Sequence, residues 1–444
     1  MTANRAPLAS SRGLARTALM LLPLQALFRG GEAVLPLLLA TWFGRSTETD
    51  LYYLLAAYFV FAATLVTGAF QDSAIVPVLV EVDASHPEEL AGIAGALLGH
   101  TLAVAVGLAV TMGVLAAAGT LFLSRSPVLA MELVPVMAVG LVATAVRSFY
   151  VGLLNARARF SAHPIASGLG MGLAIATIAL GRDALGVVVI PIALLGGELL
   201  AIAILAILCA RGLGLRLVPT LARPEPVRRI FTLVRLEVVG SLITRINPAI
   251  DQFMSRLARV VGGGTLLLCA TNVASLPTSI LQATLFPVFL TRLAEQVPRH
   301  DAFLATTKRT LAATSVLLVL SSATLATFRT PLCRLLFLHG AMDDAGVAAI
   351  ADTLPWALLG VAPFGALLVL ARAHVACQNS RIMPSMGLLN ATCNALFNMA
   401  FVGRLGLSGI ALSTSVTYVV IAVVFWIRLP RRRGRDSLRI TGVP

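Results

Sequence analysis

The chain contains few charged residues, which make up 12% of its 444 positions. A soluble domain carries about a quarter, so a soluble globular fold is excluded. Lysine is nearly absent, with Lys308 as the single example, and no glycine-rich loop precedes it. Nucleotide hydrolysis by a P-loop is thereby excluded, because that loop needs its lysine on the phosphates. Any active transport would then draw on an ion gradient or on the membrane potential.

Side chains suited to catalysis or to metal binding are also sparse. The six histidines are dispersed and form no catalytic constellation, so we expect a protein that is not an enzyme and holds no resident cofactor. The five cysteines lack close spacing, and we interpret them as small apolar fillers rather than as a disulfide framework or a metal site. They are Cys209, Cys269, Cys333, Cys377 and Cys393.

Apolar residues dominate the composition. They account for 58% of the sequence, the mean hydropathy is +0.91, and runs of roughly 20 apolar residues recur, the length that crosses a bilayer. The sequence therefore predicts an all-α polytopic membrane protein of about 12 transmembrane helices. The predicted spans lie near residues 17–43, 51–80, 91–118, 129–154, 163–181, 186–210, 236–257, 264–290, 310–328, 346–370, 382–402 and 407–427.

Basic residues gather in the short segments between these spans. With the N-terminus inside, the inner segments hold 23 Arg or Lys residues and the outer connections hold 8. This bias follows the positive-inside rule and predicts that both termini are cytoplasmic. It also accounts for the net charge of +14 without nucleic acid as a partner. The acidic loop from Glu81 to Glu89 is the exception among the inner segments, and the tail Arg431–Arg435 is predicted to contact anionic lipid.

The two halves of the chain resemble each other. Three pairs of features recur about 210 to 220 residues apart, and six spans per half predict parallel repeats related by a pseudo-two-fold axis along the membrane normal. The pairs are Ile75–Val78 with Leu285–Val288, Pro164 with Pro384, and Arg29 with Arg245. The predicted domains are an N-terminal six-helix lobe (1–210), a basic cytoplasmic linker (211–235), a C-terminal six-helix lobe (236–428) and a basic cytoplasmic tail (429–444).

Two ionisable residues, Arg29 and Glu32, lie inside the first apolar run. They are three positions apart and so share one helix face, and charge at that depth is costly unless it faces a polar interior. This favours a transporter or channel over a simple anchor; the alternative is a structural ion pair between the two. Arg147 lies about two turns from a predicted span end and is interpreted as reaching back to the membrane interface.

Three asparagines, Asn390, Asn394 and Asn398, repeat every four residues and line one helix face. They could form hydrogen bonds between helices. They could equally contribute to a cation site, since amide oxygens with one carboxylate suit a hard ion such as sodium. Asp251 would supply the carboxylate and Thr414 a hydroxyl oxygen.

Several motifs resemble the MurJ/MviN family of lipid II flippases, in order and spacing across nearly the whole chain. That family belongs to the multidrug/oligosaccharidyl-lipid/polysaccharide exporter superfamily, whose fold of two six-helix lobes agrees with the internal repeat. The motifs are Phe43-Gly44, Thr49-Asp50, Gly68-Ala69-Phe70, Val76-Pro77-Val78, Leu336–Asp343, Asn398–Gly403, Gly406 and Gly409–Leu412.

The resemblance implies roles for particular residues. Arg29 falls where the family has a cavity arginine that meets the pyrophosphate of the lipid carrier, and Asp50 matches an acidic residue at the start of span two. Beyond the resemblance, we predict that Arg245 assists Arg29 and that Glu32 and Asp50 orient the arginines. Asn272 would line the same substrate site. Sodium is the coupling ion that the resemblance implies at Asp251, Asn394, Asn398 and Thr414.

The sequence also departs from the family pattern. A second span-one arginine is replaced near Leu35, one in span two near Ala63, and the Asp-Arg pair of span eight by Thr271-Asn272. The predicted cavity is thus less cationic than is usual in the family.

We therefore predict a divergent twelve-span flippase of the bacterial inner membrane. It would move a polyprenyl-diphosphate-linked saccharide, such as a lipid II-like peptidoglycan precursor, to the outer leaflet by alternating access. Enzymes of cell-wall or polysaccharide synthesis are candidate partners. The alternatives are a flippase for exopolysaccharide or O-antigen-type lipid-linked oligosaccharides, an ion-coupled multidrug antiporter on the same fold, and a non-transporting scaffold. An antiporter would favour an acidic, aromatic-lined cavity, whereas aromatic residues make up only 6% of this chain.

Overall fold

The computed structural model describes residues 31, 34–70, 75–123, 126–157, 159–231, 246–296, 300–377 and 382–429. Within those ranges the regular structure is helical and no β-strand occurs, which confirms the all-α prediction. Seven helical stretches in these ranges are long and apolar enough to cross a membrane, or eight if one bent pair is a single span. The protein is thus a multi-pass membrane protein. The count of twelve stays a prediction, because the predicted spans 17–43 and 236–257 lie partly outside the described residues.

The chain folds as two compact units. The first comprises Met1–Leu39 and Tyr58–Val238, and the second comprises Ala40–Ala57 and Val239–Pro444. Residues 40–57 therefore group with the second unit, although the sequence places them in the N-terminal lobe. The six-plus-six organisation of the lobes stays a prediction.

The first unit contains helices α3 to α8 and parts of α1 and α2. Helices α1 (Val34–Phe43) and α2 (Thr47–Phe70) are divided between the units. The first unit continues with α3 (Val76–Ser85), α4 (Leu90–Leu123), α5 (Pro127–Ala156), α6 (Ala162–Leu185), α7 (Val189–Ile207) and α8 (residues 225–231).

Helices α6 and α7 form a hairpin through the short 3-10 segment Gly186–Val188. Gly186 has a φ of 55°, which favours glycine because a Cβ would be strained there. Gly170 and Gly197 approach so closely that a Cβ on either would overlap the carbonyl of the other. Small residues at such crossings let membrane helices pack backbone to backbone, so this hairpin depends on its glycines.

The segment that was predicted as a basic cytoplasmic linker packs within the first unit. Val218 and Thr220 lie against Gly95 and Gly99 of α4, where a side chain would overlap their carbonyls. The backbone N of Thr220 donates to the carbonyl O of Gly95 at 3.2 Å. Val227 in α8 is fully buried in the same apolar cluster. The polar backbone of this extended stretch is therefore partly satisfied by the helix it crosses.

The acidic loop after α3 meets two basic segments of the same unit. The Arg229 guanidinium lies 3.0 Å from the Glu81 carboxylate, and Arg157 lies 2.7 Å from Asp83. The three connections that the charge bias assigns to the cytoplasm thus lie on one face of this unit. Pairing with Arg157 and Arg229 gives the acidic exception to the positive-inside pattern a physical reason.

The second unit contains the remaining helices. They are α9 (Asn247–Leu257), α10 (Gly263–Gln296), α11 (His300–Thr327), α12 (Arg329–Phe337), α13 (Asp344–Leu358), α14 (Val361–Ala376), α15 (Ile382–Leu405) and α16 (Leu407–Ile427).

One predicted span is bent. The tenth span was predicted as a single helix over 346–370, whereas α13 and α14 are separate helices at an angle of 42°. The bend lies at Gly360, where the backbone approaches Ser415 so closely that a Cβ would stand 2.6 Å from its Oγ. Pro355 and Pro363 on either side of Gly360 also weaken the helical hydrogen bonding there.

Candidate functional site

Four polar side chains converge inside the second unit around Asp251. The Nδ2 atoms of Asn394 and Asn398 each donate to Asp251 Oδ1 at 2.8 Å. The Thr414 hydroxyl donates to Asp251 Oδ2 at 3.2 Å. We call Asp251, Asn394, Asn398 and Thr414 the cation cluster. The structure thus brings together all four residues that were predicted to bind an ion.

Helix geometry explains this convergence. Asn394 and Asn398 are one turn apart on α15, and both are fully buried. Helix α16 returns beside α15 after a turn at Gly406, whose φ is 57°, and Gly409 packs against the carbonyl of Phe401. Asp251 reaches the cluster from α9, whose first turn carries a proline.

The donor set of the cation cluster fits a hard monovalent cation. It comprises a carboxylate, two amide oxygens and a hydroxyl, which are oxygen ligands of the kind that hard cations prefer. Asn398 Oδ1 is buried, with no hydrogen-bond partner in the described part of the chain. An amide turned by 180° presents its oxygen where its nitrogen stood, so both asparagines could direct oxygens toward the Asp251 side. In the described ranges, no group of three or more His, Cys, Asp or Glu residues could hold a metal ion.

Asp50 belongs to the first turn of α2 and lies beside the start of α10 in the second unit. Its Oδ1 accepts hydrogen bonds from the backbone N of Gly264 at 2.8 Å and of Thr265 at 3.4 Å. Gln252 Nε2 donates to the carbonyl O of Gly264 at 3.2 Å. A carboxylate at a helix N-terminus satisfies free N–H groups and complements the helix dipole. The structure therefore gives Asp50 a capping contact that fastens the start of α2 to α10.

An ion pair joins two loops of the second unit. The Arg45 guanidinium binds the Asp343 carboxylate bidentately, with Nε–Oδ1 at 2.8 Å and Nη2–Oδ2 at 2.9 Å. Asp343 also accepts from the backbone N of Gly346 at 2.9 Å and caps α13. These contacts, with the Arg45 bond as the largest cause, lower the pKa of Asp343 to about 2. Neither residue was predicted from the sequence to have this role.

The loops around this pair are packed at backbone distance. The backbone N of Ala341 donates to the carbonyl O of Thr41 at 2.7 Å. Gly44, Gly262 and Gly340 all have positive φ there, and a Cβ on any of them would overlap a neighbouring residue. Three connections that the charge bias places on the outer side therefore meet in one tight cluster.

Of the residues predicted to form the substrate site, the structure describes Asp50 and Asn272. Arg29, Glu32 and Arg245 lie outside the described residues, so their predicted roles remain predictions. Asn272 lies on α10 and is half-buried.

Arg147 is involved in a polar cluster of the first unit that sequence analysis missed. Its Nε lies 2.5 Å from the Glu198 carboxylate on α7, and its Nη1 lies 3.5 Å from Ser167 Oγ on α6. Ser167 in turn lies 3.0 Å from His163 Nδ1. The structure thus contradicts the interpretation that Arg147 extends to the membrane interface, because an internal carboxylate holds it. Glu198, the one acidic residue of α7, was the available signal.

The sequence matches a known protein family, and the fold is similar to those of solved structures. The chain matches the family described as "Lipid II flippase MurJ" over residues 39–443. It is similar to the inward closed conformation of a lipid II flippase MurJ, with a TM-score of 0.78 and 16% identity over 92% of this chain and 87% of that chain. It is also similar to an inward-facing multidrug resistance MATE family transporter of the MOP superfamily, with a TM-score of 0.73 and 14% identity over 91% and 93% of the two chains.

A MOP superfamily transporter from Pyrococcus furiosus has a TM-score of 0.64 and 15% identity over 91% of each chain. No curated protein matches the sequence. At these identities the solved structures show a common fold, whereas the family match rests on the sequence itself.

Proposed function

Because the chain belongs to the MurJ family of lipid II flippases, we propose that it moves a polyprenyl-diphosphate-linked saccharide from the cytoplasmic to the outer leaflet by alternating access. The family match over residues 39–443 is the observation that supports this proposal. The membrane would be the bacterial inner membrane, with both termini in the cytoplasm. Enzymes that make or use the lipid-linked saccharide are the expected partners.

We assign recognition of the diphosphate to Arg29 and Arg245, with Asn272 as a neutral contact. A diphosphate carries several negative charges, and a guanidinium can meet it with two parallel hydrogen bonds. Glu32 would hold Arg29 in the conformation that accepts the ligand.

Asp50 would control access rather than bind substrate. Its two hydrogen bonds to the start of α10 fasten the first turn of α2 within the second unit, while Tyr58 and the rest of α2 belong to the first unit. A helix shared in this way can transmit a change in one unit to the other. Release of the Asp50 cap would then accompany opening of the transporter on the outer side.

The cation cluster would couple transport to an ion gradient, with sodium as the ion that its oxygen ligands fit. Sodium would be a co-transported substrate rather than a resident cofactor. Its charge would be balanced by the Asp251 carboxylate, which draws ligands from α9, α15 and α16 toward one point. Binding would in this way change the packing of three helices at once.

Ligand binding tests the proposed substrate class. The purified protein should be stabilised against heat by polyprenyl-diphosphate saccharides and much less by the matching polyprenyl monophosphate, because ligand that binds only the folded state raises the melting temperature. A lipid II-like ligand and an exopolysaccharide precursor compared side by side would separate the two saccharide alternatives. Stabilisation by cationic drugs alone would instead favour an antiporter.

The topology provides a separate prediction. Reporter fusions after Arg435 should report the cytoplasm, and fusions near Asp344 should report the outer side, because the basic residues favour the inner segments. Alkaline phosphatase and green fluorescent protein fusions would measure this directly. A C-terminus outside the cell would contradict the twelve-span arrangement and the internal repeat together.

A further inference from the structure

Helices α15 and α16 extend the polar face one turn beyond the cation cluster. Asn390 precedes Asn394 by four residues on α15, and Thr417 follows Ser413 by four on α16. The Ser413 hydroxyl donates to the carbonyl O of Asn394 at 3.0 Å. Helices α15 and α16 are antiparallel. The residue one turn before Asn394 on α15 and the residue one turn after Ser413 on α16 therefore lie at the same height along the hairpin. Asn390 and Thr417 are therefore level with each other.

Both residues carry a buried side-chain oxygen. Neither Asn390 Oδ1 nor Thr417 Oγ1 has a hydrogen-bond partner within the described ranges, and Thr417 is fully buried. Asn398 Oδ1 in the cation cluster shares this property. An unpaired buried polar atom is costly, and in native proteins it commonly marks a place for water or an ion.

The next turn along the same hairpin is apolar. Met386 and Ile421 follow at the same four-residue step, and both are buried in one cluster with Ile382 and Phe425. The polar face therefore ends after Asn390 and Thr417, toward the end of α15 that the charge bias assigns to the cytoplasm. The order along the hairpin is the cation cluster, two neutral oxygens, and then an apolar closure.

We infer that Asn390 and Thr417 form a transit site through which the coupling cation passes between the cation cluster and the inner side. This inference rests on the proposed cation coupling. The two ligands are neutral oxygens with no carboxylate of their own, so they would bind a hard monovalent cation weakly. Weak binding next to a stronger site suits transit, since conduction requires that an ion can both enter and leave. The Met386 and Ile421 side chains would close the route until the hairpin opens.

Cysteine accessibility tests the transit site. In full-length protein with the five natural cysteines replaced by alanine, Thr417→Cys is exposed to the cationic reagent 2-aminoethyl methanethiosulfonate in inside-out vesicles. The matched control is Val419→Cys, two residues away on the exposed face of α16, where the Val419 side chain is 46% exposed. We expect Thr417→Cys to react about tenfold faster than the control, because a thiol needs water to ionise. Sodium should slow the reaction roughly fivefold relative to choline by occupying the site, and this protection should persist in Asp251→Asn, because the site lies between the cation cluster and the inner side.

A second variant and a binding measurement separate the outcomes. Asn390→Cys should behave as Thr417→Cys does, which covers a failure of either variant to fold. If both resist the reagent, or react at a rate that sodium leaves unchanged, while equilibrium binding of radioactive sodium persists, the transit site is wrong and the cation cluster stands. If the unmodified protein binds no sodium, the proposed coupling itself is wrong, and the transit site is overturned with it.

Discussion

Asp251→Asn should strongly weaken sodium binding while leaving the protein folded. The substitution keeps the size of the side chain and its Oδ1, which accepts from Asn394 and Asn398 at 2.8 Å in the native protein. The Thr414 hydroxyl can rotate to accept from the new amide, so the local network persists. What disappears is the one negative charge of the cation cluster.

The loss of that charge should dominate the binding energy. A charge-assisted contact contributes about 1.5–3 kcal/mol, so the affinity for sodium should fall roughly ten- to a hundredfold. Equilibrium binding of radioactive sodium to the purified protein measures this effect. Asp352→Asn, which removes an exposed carboxylate from α13, is the matched control and should bind sodium normally. Unchanged binding in Asp251→Asn would reduce the cluster to packing polar groups.

Arg29→Ala should lower the affinity for diphosphate-linked saccharide roughly ten- to a hundredfold, by the strength of charge-assisted hydrogen bonds. The resemblance implies further cavity arginines in the family, and this chain has other residues near Leu35, Ala63 and Thr271-Asn272, so Arg29 should carry an unusually large share of recognition. Arg29→Lys should restore only part of the affinity, because a point charge cannot reproduce the guanidinium fork. Glu32→Gln should have a smaller effect, since it removes an orienting partner and leaves the phosphate ligand.

Binding of lipid-linked saccharide to each purified variant measures these effects, with expression level as the check on folding. Arg404→Ala removes an exposed arginine near the end of α15 and serves as the control. Wild-type affinity in Arg29→Ala would make Arg29 a structural partner of Glu32. The substrate site would then be sought around Arg245.

Local periodicity made the cation cluster predictable. Asn394 and Asn398 are one turn apart, and that spacing alone places both on one face of α15. Asp251 and Thr414 were proposed as the carboxylate and hydroxyl that a cation site needs, and the family resemblance implied the same residues. No local pattern connects them to the asparagines, because Asp251 is 143 residues from Asn394. The structure then brought all four together within hydrogen-bonding distance.

Contacts between distant loops could not be predicted in the same way. Arg45 and Asp343 are separated by 298 residues. In the sequence each is simply a charged residue in a loop between two predicted spans. The capping contact of Asp50 could not be predicted either, because its partner is a backbone N–H group 214 residues away, which leaves no mark in the sequence. Arg147 was misinterpreted for a related reason: its partner Glu198 lies in another span, and the depth of Arg147 alone suggested an interfacial position.

The family assignment itself was available from the sequence. The motifs at Phe43-Gly44, Leu336–Asp343 and Asn398–Gly403 indicated it, and the family match over residues 39–443 confirms it. The bend at Gly360 could not be predicted from the sequence, because the close approach of Ser415 that requires the glycine arises only once α13 and α16 pack.

The most direct test of the central claim is a leaflet-resolved transfer assay with the purified protein in liposomes. Polyprenyl-diphosphate-linked saccharide is placed in one leaflet, and its appearance in the other is followed with an impermeant enzyme or quencher under a sodium gradient. The account predicts transfer well above that of protein-free liposomes, a large decrease with Arg29→Ala, and loss of the gradient's effect with Asp251→Asn. Transfer of every diphosphate-linked saccharide at the protein-free rate, by protein that is folded and inserted, would contradict it.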